Sequence, residues 1–83
     1  MTHIVYILEC ADGSLYSGST RNLEKRLHEH NNLKGGAHYT KIRRPVVLKY
    51  SESVPDFASA RAREGEFKRW SRAKKLDFIN NHA

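Results

Sequence analysis

Residues 4–10 read IVYILEC, with β-branched, aromatic or apolar side chains at every position from Ile4 to Leu8. Such a run suits a strand buried on both faces, because an unalternating apolar strand leaves no side for water. It stops at ADGS and resumes as LYSGS, so the two segments read as a hairpin. The register of that hairpin is open. A two-residue Asp12-Gly13 loop would pair Tyr6 with Ser19 and put Tyr6 and Tyr16 on opposite faces. A three-residue loop of Ala11, Asp12 and a left-handed Gly13 would set Leu8 opposite Tyr16 and Tyr6 opposite Gly18, with both tyrosines on one face.

Downstream, Asn22 is a good N-cap, with Glu24 in the first turn where the helix dipole favours an acid. That helix should run to about residue 31, before the Asn and Lys-Gly-Gly segment. A loop rich in Gly, Lys, Arg and His then leads through Pro45 into a third strand, PVVLKYSES. Pro55 and Asp56 open a helix, with Pro at a tolerated early position. It continues through DFASARAREGEFKRW to about Trp70, weakened at Gly65. Ser71 can cap a last helix packed through Ala73, Leu76 and Ile79. The economical architecture is α+β: a three-stranded antiparallel sheet flanked by helices, in the order β-β-α-β-α-α. At 83 residues a second core would have too little to bury, so residues 1–83 are expected to form one domain.

Fifteen Lys and Arg face nine Asp and Glu, a net charge of +6 with a pI near 9.8. So basic a small chain favours polyanionic partners, above all nucleic acid. No apolar run approaches the roughly 20 residues that span a bilayer, which argues against a membrane protein. The N-terminus lacks the basic segment of a signal peptide. Cys10 is the only cysteine, which excludes an internal disulfide framework and a cysteine zinc site. A reducing, cytoplasmic setting and a monomer are the expectation.

Some polar residues fall on faces that should be dry. On the helix after Pro55, Phe57, Ala60 and Phe67 form a stripe about 80° wide, and Glu64 projects inside it. An unpaired buried carboxylate is very costly, so Glu64 needs a cation, a metal or the edge of a cleft. An ion pair with a nearby arginine is the bland alternative. Glu66 projects away from the stripe, as a solvated acid would. On the first helix, Arg26 and His30 lie beside Leu23 and Leu27, about 40° apart, and can reach one common point. A snorkelling arginine and a half-buried histidine would explain them equally well. Taken together with two strand tyrosines and the misplaced acid, they make a cluster suited to phosphate chemistry.

With VYI at 5–7, YSG at 16–18, NLEKRLHEH after them and an acid on a later helix, the whole chain resembles the GIY-YIG nuclease superfamily. It looks most like the small stand-alone bacterial branch. The resemblance implies Tyr6 and Tyr16 as the motif tyrosines, Arg26 as the helix arginine, His30 four residues on, and Glu64 as the single metal-binding carboxylate. Gly18 is the motif glycine, where a side chain would crowd the incoming phosphodiester. Two departures stand out. Ile4 occupies the first motif's glycine position, and Ser19 stands where some relatives carry a lysine; Lys41, Arg43 or Lys68 are candidates to replace it. The asparagine that follows the acid in many relatives has no counterpart, since Asn80 lies too far on.

The implied chemistry is phosphodiester hydrolysis of DNA, or alternatively RNA, assisted by one Mg²⁺ or Mn²⁺ held by Glu64. Arg26 clamps the phosphate, and one tyrosine, in the first instance Tyr6, takes the water's proton. A tyrosine pKa near 10 makes a poor base at pH 7, so Arg26 and the metal are expected to lower it. His30 orients a tyrosine or the water. This grouping needs both tyrosines on one face and so favours the three-residue hairpin loop. Phosphate contacts are expected from Lys41, Arg43, Arg44, Lys68 and Arg72, with Arg63 and Lys75 beside them. Tyr39 or Trp70 could stack on a base, although Trp70 suits a core better. Selection by substrate structure, in DNA repair or processing, fits a chain with no room for a sequence-reading domain. A nucleic-acid-binding module of the same fold with little or no catalysis, and a protein-interaction adaptor, are the competing readings.

Overall fold

The computed structural model describes residues 2–32 and 43–82. The hairpin closes through three residues. Gly13 sits at φ 84°, its N–H bonds the Cys10 carbonyl at 2.9 Å, and Cys10 N–H bonds the Ser14 carbonyl at 2.8 Å. Glycine is needed here because the left-handed region costs any residue with a Cβ. The result is the longer-loop register: β1 (His3–Glu9) pairs with β2 (Leu15–Thr20) so that Tyr6 faces Gly18 and Leu8 faces Tyr16. β3 (Val47–Val54) pairs antiparallel on the other side of β1, giving the order β2-β1-β3. The apolar run is therefore the central strand, and Val5, Tyr6, Ile7 and Leu8 are all buried.

Each face has its own core. Val5 and Ile7 pack with Ala60, Phe67 and Ile79 under α2 (Phe57–Arg69) and α3 (Arg72–His82). Tyr6 and Leu8 pack with Cys10 and Val46 beneath Leu23 and Leu27 of α1 (Leu23–Asn32). The order is β-β-α-β-α-α, an α+β sheet with helices on both sides. Side chains cap the helix starts as the sequence suggests: Asn22 accepts from Lys25 N–H at 3.1 Å, Asp56 from Ser59 N–H at 2.7 Å and Ser71 from Lys74 N–H at 3.1 Å.

Three local expectations are corrected. Asp56 is the cap of α2, so Pro55 lies outside the helix rather than in its first turn. Phe57 is 56 % exposed rather than part of the dry stripe, because the first residue of α2 lies beyond the surface that covers Ala60 and Phe67. Ala73 is exposed as well; α3 packs through Ile79, as expected, with Phe78 beside it. Among the described residues, no helix is long and apolar enough to cross a membrane.

Candidate active site

β2 is an edge strand, and candidate residues gather on both of its faces. On the α1 side, Tyr6 and His30 are closed to solvent, with the Tyr6 hydroxyl 2.9 Å from His30 Nε2. The His30 ring lies edge-on to Tyr6 at 5.9 Å and to Tyr16 at 5.4 Å. Arg26, one turn before His30, bonds Glu29 at 3.2 Å and also reaches the Tyr6 phenol. The register makes this grouping, since it sets Tyr6 and Tyr16 on the face that α1 covers.

Burial decides the electrostatics of this group. It raises the Tyr6 pKa to about 12, a rise that the Arg26 hydrogen bond opposes and that the charges of Tyr16 and Glu64 reinforce. The expectation that Arg26 would bring Tyr6 below its ordinary value is thus corrected for the protein alone, because desolvation outweighs the guanidinium. Burial, with the Arg26 charge adding to it, pushes His30 down to about 4, so its imidazole is neutral at pH 7. Burial also works against the Arg26 charge, yet bonds to Glu29 and Tyr6 hold its pKa above the usual value.

Gly18 has a structural reason that the residue pattern did not show. A Cβ there would lie 2.5 Å from the Tyr6 hydroxyl oxygen and 2.7 Å from Cζ. The missing side chain makes room for the Tyr6 ring across the strand pair, the aromatic cover of an edge glycine.

On the α2 side, Ser19 pairs with Val5 and so turns toward Glu64, to whose Oε1 its hydroxyl donates at 2.8 Å. Lys68, one turn on along α2, lies 2.8 Å from the other carboxylate oxygen. The partner of Glu64 is thus a lysine rather than an arginine. A cleft of about 390 Å³ opens here, lined by Ser19, Phe57, Arg61, Glu64, Gly65 and Lys68. Glu64 is half-buried at its edge. The two sides meet around β2, because the Lys68 ammonium also lies 6.0 Å from the centre of the Tyr16 ring. Ser19, read as the loss of a lysine, is a direct partner of the acid, and Lys68 supplies a cation beside it.

Among the described residues no three of His, Cys, Asp and Glu gather around one point. A site here would rest on one carboxylate with water and phosphate oxygens. Glu64, a hard oxygen donor on an open cleft and already holding a cation, fits such a role for Mg²⁺ or Mn²⁺.

Of the proposed phosphate contacts among the described residues, Lys68 alone lines this cleft. Arg43 pairs with Asp12 at 3.1 Å and Arg72 donates to the Gly13 carbonyl at 3.0 and 3.1 Å, so both grip the hairpin turn. Arg44 bonds the Glu29 and His30 carbonyls, neutralising the C-terminal end of α1. Arg63 is folded against Phe67 at 4.5 Å and bonds Glu52 and Glu66. Each of these cations has a partner within the fold. Glu66 correspondingly carries an ion pair of 2.7 Å rather than standing alone in solvent. Lys75 lies near Lys68, and burial with that like charge lowers its pKa. Trp70 packs on Phe67 at 5.0 Å, in the core. Lys41 and Tyr39 lie outside the described residues. Sequence reading missed Asn31, whose side-chain amide bonds both the N–H and the carbonyl of Val46 at 2.7 and 3.1 Å. That clamp ties α1 to the entry of β3 and had no local signal.

Comparison with known proteins agrees with the geometry. The family model of the GIY-YIG catalytic domain matches residues 2–77. A UPF0213 protein of Syntrophus aciditrophicus is 53 % identical over 78 residues, covering 94 % of this chain and 90 % of its own length. One from Staphylococcus saprophyticus is 51 % identical, with 94 % of each chain covered. The solution NMR structure of the UPF0213 protein of Bacillus halodurans superposes with a TM-score of 0.64 at 40 % identity, covering 99 % of this chain and 86 % of that one. A second solution structure, a protein from E. faecalis, gives 0.67 at 37 % identity, covering 98 % and 85 %.

Proposed function

The chain belongs to the GIY-YIG catalytic-domain family, and from that premise we propose that it hydrolyses phosphodiester bonds of DNA as a metal-dependent endonuclease. Family membership supports nuclease-type chemistry on nucleic acid in general. The observation that carries the finer reading is Lys68, whose ammonium touches Glu64 and lies over Tyr16. It supports reading the buried tyrosine–histidine group and the open carboxylate cleft as parts of one site.

In this reading the DNA backbone lies along the β2 edge, drawn by Lys68 and Lys75. Arg26, kept charged by its bonds to Glu29 and Tyr6, faces the non-bridging oxygens and gains as charge develops there. Glu64 would hold the divalent cation, which when bound would supply polarisation of the phosphate and stabilisation of the leaving oxygen. Tyr6 takes the proton of the attacking water. Its phenol is neutral at pH 7, so its own proton must pass on, and His30 Nε2 at 2.9 Å is the neighbour placed to take it when the imidazole carries its proton on Nδ1. Burial keeps the His30 imidazole neutral, so only its Nδ1–H tautomer presents Nε2 as an acceptor. A second reading gives the water to Tyr16, because Tyr6 is only 1 % exposed whereas Tyr16 is partly open. DNA processing or repair inside the cytoplasm is the setting we propose.

Nicking of supercoiled plasmid tests the reading. Wild type should nick with Mg²⁺ or Mn²⁺ and stop with chelator, and Glu64→Ala should not nick. Tyr6→Phe against Tyr16→Phe identifies which phenol meets the water. Equal cutting by wild type and Glu64→Ala would sink the enzyme reading. Salt-sensitive duplex binding without cutting would leave a binding module of the same fold.

A further inference from the structure

Phe57 is 56 % exposed and belongs to neither core cluster. A single exposed apolar residue is ordinary. This one lines the same cleft as Glu64 and Lys68, and charge surrounds it. The Arg61 guanidinium carbon lies 5.6 Å from the ring centre, and the His3 ring lies 5.7 Å away, tilted by 50°. The ion pairs of α2 join Arg63 to Glu52 and Glu66, and Lys68 to Glu64. Arg61 therefore has no carboxylate partner among the described residues, and its cation rests on the phenylalanine.

One ring among cations does not suit a protein interface, which would need a contiguous apolar patch. The other large exposed apolar residue, Val47, lies at the start of β3, across β1 from the β2 edge. A flat ring with a guanidinium beside it, at the mouth of a phosphate-seeking cleft, suits a nucleobase and its phosphate. In a paired duplex both faces of a base are covered by its neighbours. An unpaired base has a face to offer.

We propose that Phe57, flanked by Arg61 and His3, is a stacking platform for an unpaired base of the DNA strand whose phosphodiester enters the Glu64 cleft. The substrate class that follows is DNA with unpaired bases beside the scissile bond: flaps, gaps and single-stranded segments. This deepens the endonuclease reading and rests on it for the strand's orientation, but the platform is tested by binding alone.

The experiment measures equilibrium binding in chelator, where no hydrolysis occurs, by fluorescence anisotropy at one fixed salt concentration. The probes are a fully paired duplex and the same duplex with a single-stranded flap carrying 2-aminopurine. Wild type should prefer the flapped DNA and quench the 2-aminopurine. Phe57→Ala, an exposed change that keeps the fold, should weaken flap binding between about fivefold and a hundredfold and duplex binding less than about twofold. Phe57→Trp should restore both affinity and quenching. An equal effect of Phe57→Ala on the two DNAs, or none on either, overturns the platform while Glu64-dependent nicking leaves the endonuclease reading standing. Failure of wild type to bind either DNA overturns both.

Discussion

On the α1 side of β2, Tyr6 and His30 are shut away from water and bonded to each other at 2.9 Å. On the α2 side, Glu64 stands in an open cleft with Ser19 and Lys68 each 2.8 Å from it. The first arrangement fixes geometry at the expense of titration: burial holds the tyrosine protonated and the histidine neutral over the whole physiological range. The second stays open to water, which screens the Glu64–Lys68 pair and leaves room for ions and substrate. The proposed phosphodiesterase reading uses both kinds of environment, a rigid place for the proton and a wet one for ions and substrate, on the two faces of one edge strand.

The sharpest way to expose the closed side is pH. Burial depresses His30 from 6.5 to about 4, so the unfolded chain binds a proton that the folded one refuses. The stability this contributes is whole above pH 6.5 and is lost as pH falls from 6.5 toward 4, by about 3 kcal/mol. Urea unfolding at pH 7 and pH 4.5 should show that loss in wild type, and His30→Gln should flatten it. An unchanged slope in the variant would mean the histidine is not held neutral.

The tightness of the same side is read next at Gly18. Gly18→Ala places a methyl against the Tyr6 phenol and should cost about 1–3 kcal/mol in chemical denaturation. Gly18→Ala combined with Tyr6→Phe should recover part of that, since the nearest clash is with the hydroxyl oxygen. The smallest effect belongs to the open side. Lys68→Met breaks a pair whose lysine is 51 % exposed, and thermal unfolding should register less than about 0.5 kcal/mol. A large loss there would erase the contrast between the two faces.

Residue patterns revealed the closed side better than the open one. The unalternating run at residues 4–10 marks a central strand, and the demand that Tyr6 and Tyr16 share a face selects the hairpin loop. Capping residues announce each helix start because caps are local chemistry. Charges were harder to place. Arg43, Arg44, Arg63 and Arg72 read as phosphate contacts, and the pattern gave no sign that they also bond a turn, a helix end and an aromatic core. Such contacts join residues far apart in the chain, and a helical projection carries no information about them. Phe57 failed for a related reason: the projection treats a helix as endless, whereas its first residue overhangs the sheet. Gly18 needed its cross-strand partner before its purpose could be seen.

The central claim is that the two faces act as one site, and a double-mutant cycle on cleavage tests it most directly. Single-turnover rates of wild type, Tyr6→Phe, Glu64→Gln and the double variant would be measured at saturating divalent cation. Tyr6→Phe alone should slow cleavage about 10²–10⁴-fold, as loss of a proton acceptor does. If the faces work as a unit, the double variant is no slower than the slower single variant. Losses that multiply would show independent contributions, and the joint site across β2 would be contradicted.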